Sequence, residues 1–301
     1  MKRIPTITEM KAACRQVTRR GQTLGFVPTM GALHEGHLSL VRASKARCNV
    51  TAVSIFVNPL QFGPTEDLDK YPRMLERDAA MLEELGVELL FMPSVEEMYP
   101  EDQTGPLSTK SKGQGGTPKQ RDETYVLVEG LSGKLDGASR PGHFRGVATV
   151  VTKLFEIVRP DYAFFGQKDA AQVAVLRKMV RDLNMDVEIV VCPIVREKDG
   201  LAMSSRNLYL TPEQRRQALV LQRALMRVQS AADRGERDAA KLIEIGRQVI
   251  AEEPGARLDY FAIVDPDTLD SVAEITRGAL VAVAAYFGTT RLIDNILLTA
   301  T

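Results

Sequence analysis

The chain has no tryptophan, and of its 301 residues only three are histidine and three are cysteine. Aromatic residues make up 6%. The cysteines, Cys14, Cys48 and Cys192, are odd in number, far apart and without a C-x-x-C pair. A disulfide framework or a thiolate zinc site is therefore not expected, and a reducing cytosol fits best. An excess of either charge is missing too, because 39 Lys plus Arg balance 39 Asp plus Glu. A protein whose main partner is nucleic acid or an anionic membrane needs a basic excess. Neither partner is expected, although a balanced total leaves room for a local basic pocket. There is no long hydrophobic run. The most apolar stretch, Ala279 to Phe287, is far short of the about 20 residues that span a bilayer. The start, Met1-Lys2-Arg3-Ile4-Pro5, turns polar at once and has no signal-peptide core. The expectation is a soluble, cytoplasmic protein.

What is present is ordinary globular composition, 44% apolar and 26% charged. The length is that of about two domains. Strands are predicted at Thr23 to Pro28, Asn49 to Val57, Val87 to Met92, Tyr162 to Phe165 and Val187 to Val191. Between them, amphipathic helices are predicted at Gly36 to Arg47, Arg73 to Leu85, Val147 to Val158 and Asp169 to Leu183. Alternation at this spacing predicts βαβ units in a Rossmann-like, doubly wound parallel sheet, an α/β fold over residues 1–191. The polar segment at about 101–121 reads as a surface loop, because the rhythm resumes beyond it. After Cys192-Pro193 the pattern changes. Thr211-Pro212-Glu213-Gln214 starts a helix, and Asp238 to Glu252 forms another. Strands at Leu258 to Val264, Ala279 to Tyr286 and Leu292 to Leu298 then give a smaller α+β domain over residues 192–301.

Two of the three histidines, His34 and His37, lie in Pro28-Thr29-Met30-Gly31-Ala32-Leu33-His34-Glu35-Gly36-His37. This segment leaves the first predicted strand and opens a helix, where an open α/β sheet binds its ligand. Backbone N–H groups at a helix start favour phosphate. Histidines at i and i+3 face one side of the turn, where two donors would stabilise charge on a leaving pyrophosphate. The plainer alternative is that they only cap or pack. A metalloprotease H-E-x-x-H needs i,i+4 spacing and is one residue longer, and neither a Walker A loop nor G-x-G-x-x-G is present. Asn58-Pro59-Leu60-Gln61 follows the second strand, and its amides suit a hydroxyl or carboxylate substrate; a simple turn explains it equally well. Gly166-Gln167-Lys168-Asp169, with Gln172 one turn on, repeats the arrangement after a later strand. Capping is a strong alternative for Asp169. It is a weak one for Lys168, because a cation at a helix N-terminus opposes the dipole. Met203-Ser204-Ser205-Arg206 adds two hydroxyls and a guanidinium suited to phosphate, on a loop expected to swing over the site. The four segments together point to a nucleoside triphosphate held between two domains.

Taken in order, PTMGALHEGH, SIFVNPLQFG, YPR, GASRPGHFRGV, FGQKD with Gln172, GLAMSSRNLYL and the later TRLIDN closely resemble the pantothenate synthetase (pantoate–β-alanine ligase) family. His34-x-x-His37 is similar to the HIGH-type signature of the nucleotidyltransferase superfamily. The resemblance implies a two-step reaction. Pantoate and ATP give pantoyl adenylate and pyrophosphate, and β-alanine then gives pantothenate and AMP. It implies that His34, His37 and Lys168 are catalytic, with His37 as proton donor. The ATP site it implies runs over Met30, Gly31, Ala32, Leu33, His34, Glu35, Gly36 and His37, then Gly166, Gln167, Lys168 and Asp169. Val195, Met203, Ser204, Ser205 and Arg206 complete it. Gln61 would bind pantoate and β-alanine, Gln172 pantoate, and Asn58 would join them. Magnesium would ride on the phosphates, held mostly by ATP and water with no protein ligand assigned, and the enzyme would be a homodimer. The alternatives are a nucleotidyltransferase that stops at an adenylylated product and a non-catalytic ATP sensor. Two features depart from the family: Gln167 stands where Glu is usual, and the segment at about 101–121 is longer, which reads as a tolerated insertion and not a new site. His143, in GASRPGHFRGV, has no role assigned.

Overall fold

The computed structural model describes residues 1–63, 66–100 and 124–299; the long polar segment lies outside the described residues. The chain begins with β1 (Lys2–Ile4), α1 (Ile7–Arg19), β2 (Leu24–Thr29), α2 (Glu35–Arg47) and β3 (Val50–Ile55). It continues with α3 (Leu75–Glu84), β4 (Leu89–Phe91), α4 (Val95–Met98), α5 (Asp136–Ser139) and α6 (His143–Val158). Then come β5 (Tyr162–Gly166), α7 (Ala170–Asp182) and β6 (Glu188–Cys192). These strands form a six-stranded parallel sheet in the order β1-β4-β3-β2-β5-β6. The order reverses between β2 and β5, so a crevice opens at their carboxyl ends.

The strands are buried on both faces, and their residues alternate between two cores. Phe26, Ala52, Phe91 and Phe165 join the core shared with α1, α6 and α7. Val27, Val53, Leu90 and Phe164 join the core beneath α2 and α3. Four elements were not predicted: β1, α1 and the one-turn helices α4 and α5. Helix α1 starts at a Thr-x-x-Glu box, where the Thr6 side chain accepts from Glu9 N–H, and it buries Met10, Cys14 and Val17. Helix α6 begins at His143, four residues before the predicted Val147, because the chain leaves left-handed Gly142 (φ 86°) directly into the helix and His143-Phe144-Arg145-Gly146 form its first turn, with Phe144 buried. These shifts move element ends and leave the predicted α/β class in place.

Beyond β6 lie α8 (Pro212–Gln217), α9 (Val220–Asp233) and α10 (Ala239–Ala251). Strands β7 (Ala256–Val264), β8 (Ala279–Phe287) and β9 (Thr290–Leu298) form an antiparallel sheet. Thr211 and Gln214 make the predicted capping box, but the helix breaks at Ala218–Leu219 into α8 and α9. Phe261, Ile263, Val281 and Val283 face the core with α9 and α10. Val264, Leu280 and Ala282 face the other way and join the core of the parallel sheet. The small sheet is thus buried on both faces. Among the described residues no helix is long and apolar enough to cross a membrane.

Candidate active site

The loop from β2 to α2 carries Gly31 (φ 82°) and Ala32 (φ 50°), two left-handed residues in succession. Such a conformation is strained for alanine, so something must hold it. That group is Asp78 of α3, fully buried, whose Oδ1 accepts from Leu33 N–H at 2.9 Å. The Ala32 N–H reaches the same carboxylate, and burial raises the Asp78 pKa. The loop then enters α2 through a capping box built from the two histidines. His34 Nδ1 accepts from Gly36 N–H at 3.1 Å, and His37 Nδ1 accepts from His34 N–H at 3.3 Å. An imidazole that accepts at Nδ1 carries its proton on Nε2, so each ring keeps one N–H donor that bonds no partner among the described residues. The rings stand 4.1 Å apart. Burial first, then Lys168, lowers His34 to about 4. Burial and His34 lower His37 to about 3. Both are neutral at pH 7. Glu35 turns outward to an exposed ion pair with Arg42, so its side chain is not brought to the site. Leu33 and Ala32 are core residues and offer only backbone.

After β3, Asn58 caps the turn at 59–61 by accepting from Leu60 N–H. It is 1% exposed, and its Nδ2 donates to Gln61 Oε1 and to Gly146 O, each at 3.1 Å. Tyr99 Oη donates to Asn58 Oδ1 at 2.8 Å. Gln61 Nε2 lies 2.9 Å from Met30 Sδ, joining this turn to the first loop. The simple-turn explanation therefore accounts for Asn58 only in part, because its amide also aims that of Gln61.

At the end of β5, Asp169 begins α7 without a side-chain cap bond. Its carboxylate lies 3.7 Å from Lys168 Nζ, so the capping alternative fails. Gln167 Nε2 donates to Asn295 Oδ1 at 3.1 Å, and Asn295 Nδ2 donates back to the carbonyls of Gln167 and Lys168 at 3.0 and 2.9 Å. This neutral amide pair needs no charge at position 167. Asn295 of β9 thus holds the turn that presents Lys168.

Val195 and Met203 are partners in a small hairpin, in which Met203 N–H donates to Val195 O at 3.0 Å and Arg196 pairs with Ala202. Asp294 of β9 anchors it by a two-point pair with Arg196 at 2.7 and 3.0 Å. Ser204 Oγ accepts from Arg206 N–H. Ser205 departs from expectation, because it is buried and its Oγ donates to Ala32 O at 3.1 Å. It fastens the hairpin's exit to the first loop and does not face the cleft. Arg206 is engaged by both oxygens of Asp67 at 3.1 and 3.2 Å.

A cleft of about 750 Å³ lies between the two sheets. Lys168, Asp169, Gln172, Ser204 and Arg206 line it, as expected. His34 and His37 sit beside Lys168 and Asp169, close enough for those charges to act on both rings. Asn58 and Gln61 lie behind the wall, which Arg140 and His143 complete. The three cleft arginines are met by carboxylates: Arg140 by Glu66, Arg206 by Asp67, and Arg291 by Asp136 and Asp259. Sequence reasoning missed Asp78, Asp67 and Asn295 as functional residues. Asp78 left a signal as a carboxylate on the apolar stripe of a predicted helix, and Asn295 stands at the end of the TRLIDN motif, where no role was assigned to it.

The profile of the pantoate-beta-alanine ligase family matches residues 2–297. The chain is 61% identical over 300 residues to a pantothenate synthetase of Koribacter versatilis, covering 100% of this chain and 97% of the relative. It is 58% identical to one of Acidobacterium capsulatum, over 99% and 97% of the two chains. Among solved structures, the pantothenate synthetase of Thermus thermophilus superposes with a TM-score of 0.88 at 47% identity, covering 98% of this chain and 99% of that one. The pantoate-beta-alanine ligase of Francisella tularensis, solved with beta-gamma ATP and beta-alanine, gives 0.75 at 32% identity over 99% and 97%. With the loops, the cleft and this whole-length similarity in agreement, the chain belongs to the pantoate-beta-alanine ligase family.

Proposed function

We propose that the chain uses ATP to join pantoate to β-alanine through a pantoyl adenylate. A carboxylate oxygen of pantoate attacks the α-phosphorus as the bond to pyrophosphate breaks. The β-alanine amine then attacks the acyl carbon, and the bond to AMP breaks as the amide forms. Alignment and charge neutralisation dominate such a phosphoryl transfer. One observation carries the reading: two imidazoles whose Nδ1 atoms are committed to capping α2, leaving two Nε2–H donors next to Lys168.

In this reading the N–H groups of α2, His34, His37 and Lys168 take the leaving pyrophosphate oxygens. A polyanion beside His37 draws its pKa upward, which lets it pass from hydrogen-bond donor to proton donor. Ser204 and Arg206 close on phosphate once Arg206 exchanges Asp67 for it. Met30, Gly166, Asp169, Val195 and Met203 line the adenosine, while Gln61, Gln172 and Asn58 hold pantoate, with Gln61 next to β-alanine. Magnesium supplies charge neutralisation when bound. Glu66 and Asp67 are engaged by arginines, and among the described residues no three His, Cys, Asp or Glu converge on a metal site. The ion would therefore enter on the phosphates and keep water for most ligands. A division at 191/192 into a sheet domain and a lid, a homodimer and a cytoplasmic setting belong to the same proposal.

Incubation with ATP, magnesium and pantoate should give pantothenate and AMP by mass spectrometry only when β-alanine is added. An adenylylated product that persists in the presence of β-alanine, with no pantothenate and no AMP formed, contradicts the proposal. His37→Ala and Lys168→Ala should each slow pyrophosphate release by about a hundredfold with the fold intact. Full turnover in both contradicts the assigned roles.

A further inference from the structure

The GASRPGHFRGV segment contributes two side chains, Arg140 and His143, to one place. Glu66 takes Arg140 by two bonds of 2.7 Å, to Nε and Nη2. Arg140 Nη1 lies 3.0 Å from His143 Nε2, and His143 Nδ1 lies 2.8 Å from the carbonyl oxygen of Gln61. A guanidinium has donors only. His143 Nε2 must therefore accept, Nδ1 must carry the proton, and that proton points at Gln61 O. The opposite tautomer would set donor against donor at one nitrogen and lone pair against lone pair at the other. Arg140 Nη2 also approaches Gln61 O, at 3.5 Å. Two turns of chain meet without a gap here, because a Cβ on Gly146 would lie 2.2 Å from Leu60 O.

We propose that His143 is a positioning residue for substrate, fixing the Gln61 backbone so that the Gln61 amide, aligned by Asn58, faces pantoate and β-alanine. This deepens the reading above and rests on it, since it takes Gln61 as the residue that holds pantoate. The charged groups around the ring agree with a neutral donor. Burial and then Arg140 lower the His143 pKa to about 4, against weaker upward pulls from the Gln61 carbonyl, then Glu66 and Asp136. The ring also leans on Phe144, centroids 5.1 Å apart, so its plane is set. The chain of contacts runs Glu66 to Arg140 to His143 to Gln61, and His143 and Arg140 both line the cleft wall in front of Gln61.

The two ring nitrogens allow a test that separates positioning from filling space. Asparagine places its amide near Nδ1 and keeps a donor toward Gln61 O. Glutamine reaches the Nε2 position, keeps an acceptor for Arg140 and loses that donor. His143→Gln should raise the KM for pantoate about tenfold, the effect of losing one buried hydrogen bond, with the KM for ATP within twofold. His143→Asn should recover most of that loss. An unchanged pantoate KM in His143→Gln, or equal rises in both variants, overturns the proposal. Gln61→Ala, assayed alongside, separates the layers. A raised pantoate KM there with none in His143→Gln overturns positioning alone, whereas no rise in Gln61→Ala overturns the pantoate reading and positioning with it. If the His143 variants do not fold, Glu66→Gln tests the same chain from its half-exposed end. About a threefold rise in pantoate KM supports the proposal, and no rise overturns it.

Discussion

His34, His37 and His143 each divide their two ring nitrogens between architecture and a directed bond. In His34 and His37, Nδ1 completes the cap of α2 and leaves Nε2–H free. In His143 the assignment is reversed, with Nε2 accepting from Arg140. Nitrogen-15 spectra of a chain with only three histidines should resolve all three. They should show Nε2–H for His34 and His37, Nδ1–H for His143, and no cationic ring between about pH 8 and about 5.5. A ring that titrates near its ordinary 6.5 contradicts this. The sign for stability follows. Because the folded values are depressed, the unfolded chain takes up protons first. The stability these groups carry is complete above 6.5 and is lost as pH falls toward about 4 for His34 and His143 and about 3 for His37. The i,i+3 spacing made His34 and His37 visible in the sequence. It did not show that capping and donation coexist, because that depends on which nitrogen meets which backbone amide. Asp78 is the converse case: its carboxylate belongs to a loop 45 residues away, a relation that no local pattern carries.

At the scale of elements, the parallel strands and their helices were legible because burial and period coincide over β2, β3 and β5. Strand β1 has only three residues and left no strong pattern, whereas α1 carries legible signs that went unread, a Thr6-x-x-Glu9 box and Met10, Cys14 and Val17 at helical spacing. Strand β9 was legible as a strand but not as a support. Its consecutive residues Asp294 and Asn295 point to opposite sides, one fixing Arg196 under the hairpin of Val195 and Met203, the other fixing the carbonyls of Gln167 and Lys168. The partners are 98 and 128 residues away, beyond any spacing argument. Asn295→Ala removes both carbonyl bonds and the acceptor of Gln167. The turn that presents Lys168 should loosen, raising the KM for ATP about tenfold while circular dichroism keeps its native form. An unchanged KM for ATP contradicts the supporting role of β9.

The whole molecule joins its two sheets through a strand shared by two cores, since β8 gives Leu280 and Ala282 to the core of the parallel sheet and Val281 and Val283 to a separate core with α9 and α10. The change of pattern after Cys192 was visible in the sequence, but this shared burial was not, because a strand buried on both faces reads the same whichever layers cover it. The balanced charge of the chain conceals a cleft where Lys168 and three arginines meet, each arginine held by a carboxylate. The central claim is that this cleft activates a carboxylate as an acyl adenylate, and isotope transfer tests it most directly. Pantoate carrying oxygen-18 in both carboxylate oxygens, turned over with ATP and β-alanine, should leave one labelled oxygen in AMP and one in the amide of pantothenate. AMP without label, or label appearing in inorganic phosphate beside ADP, would contradict the account.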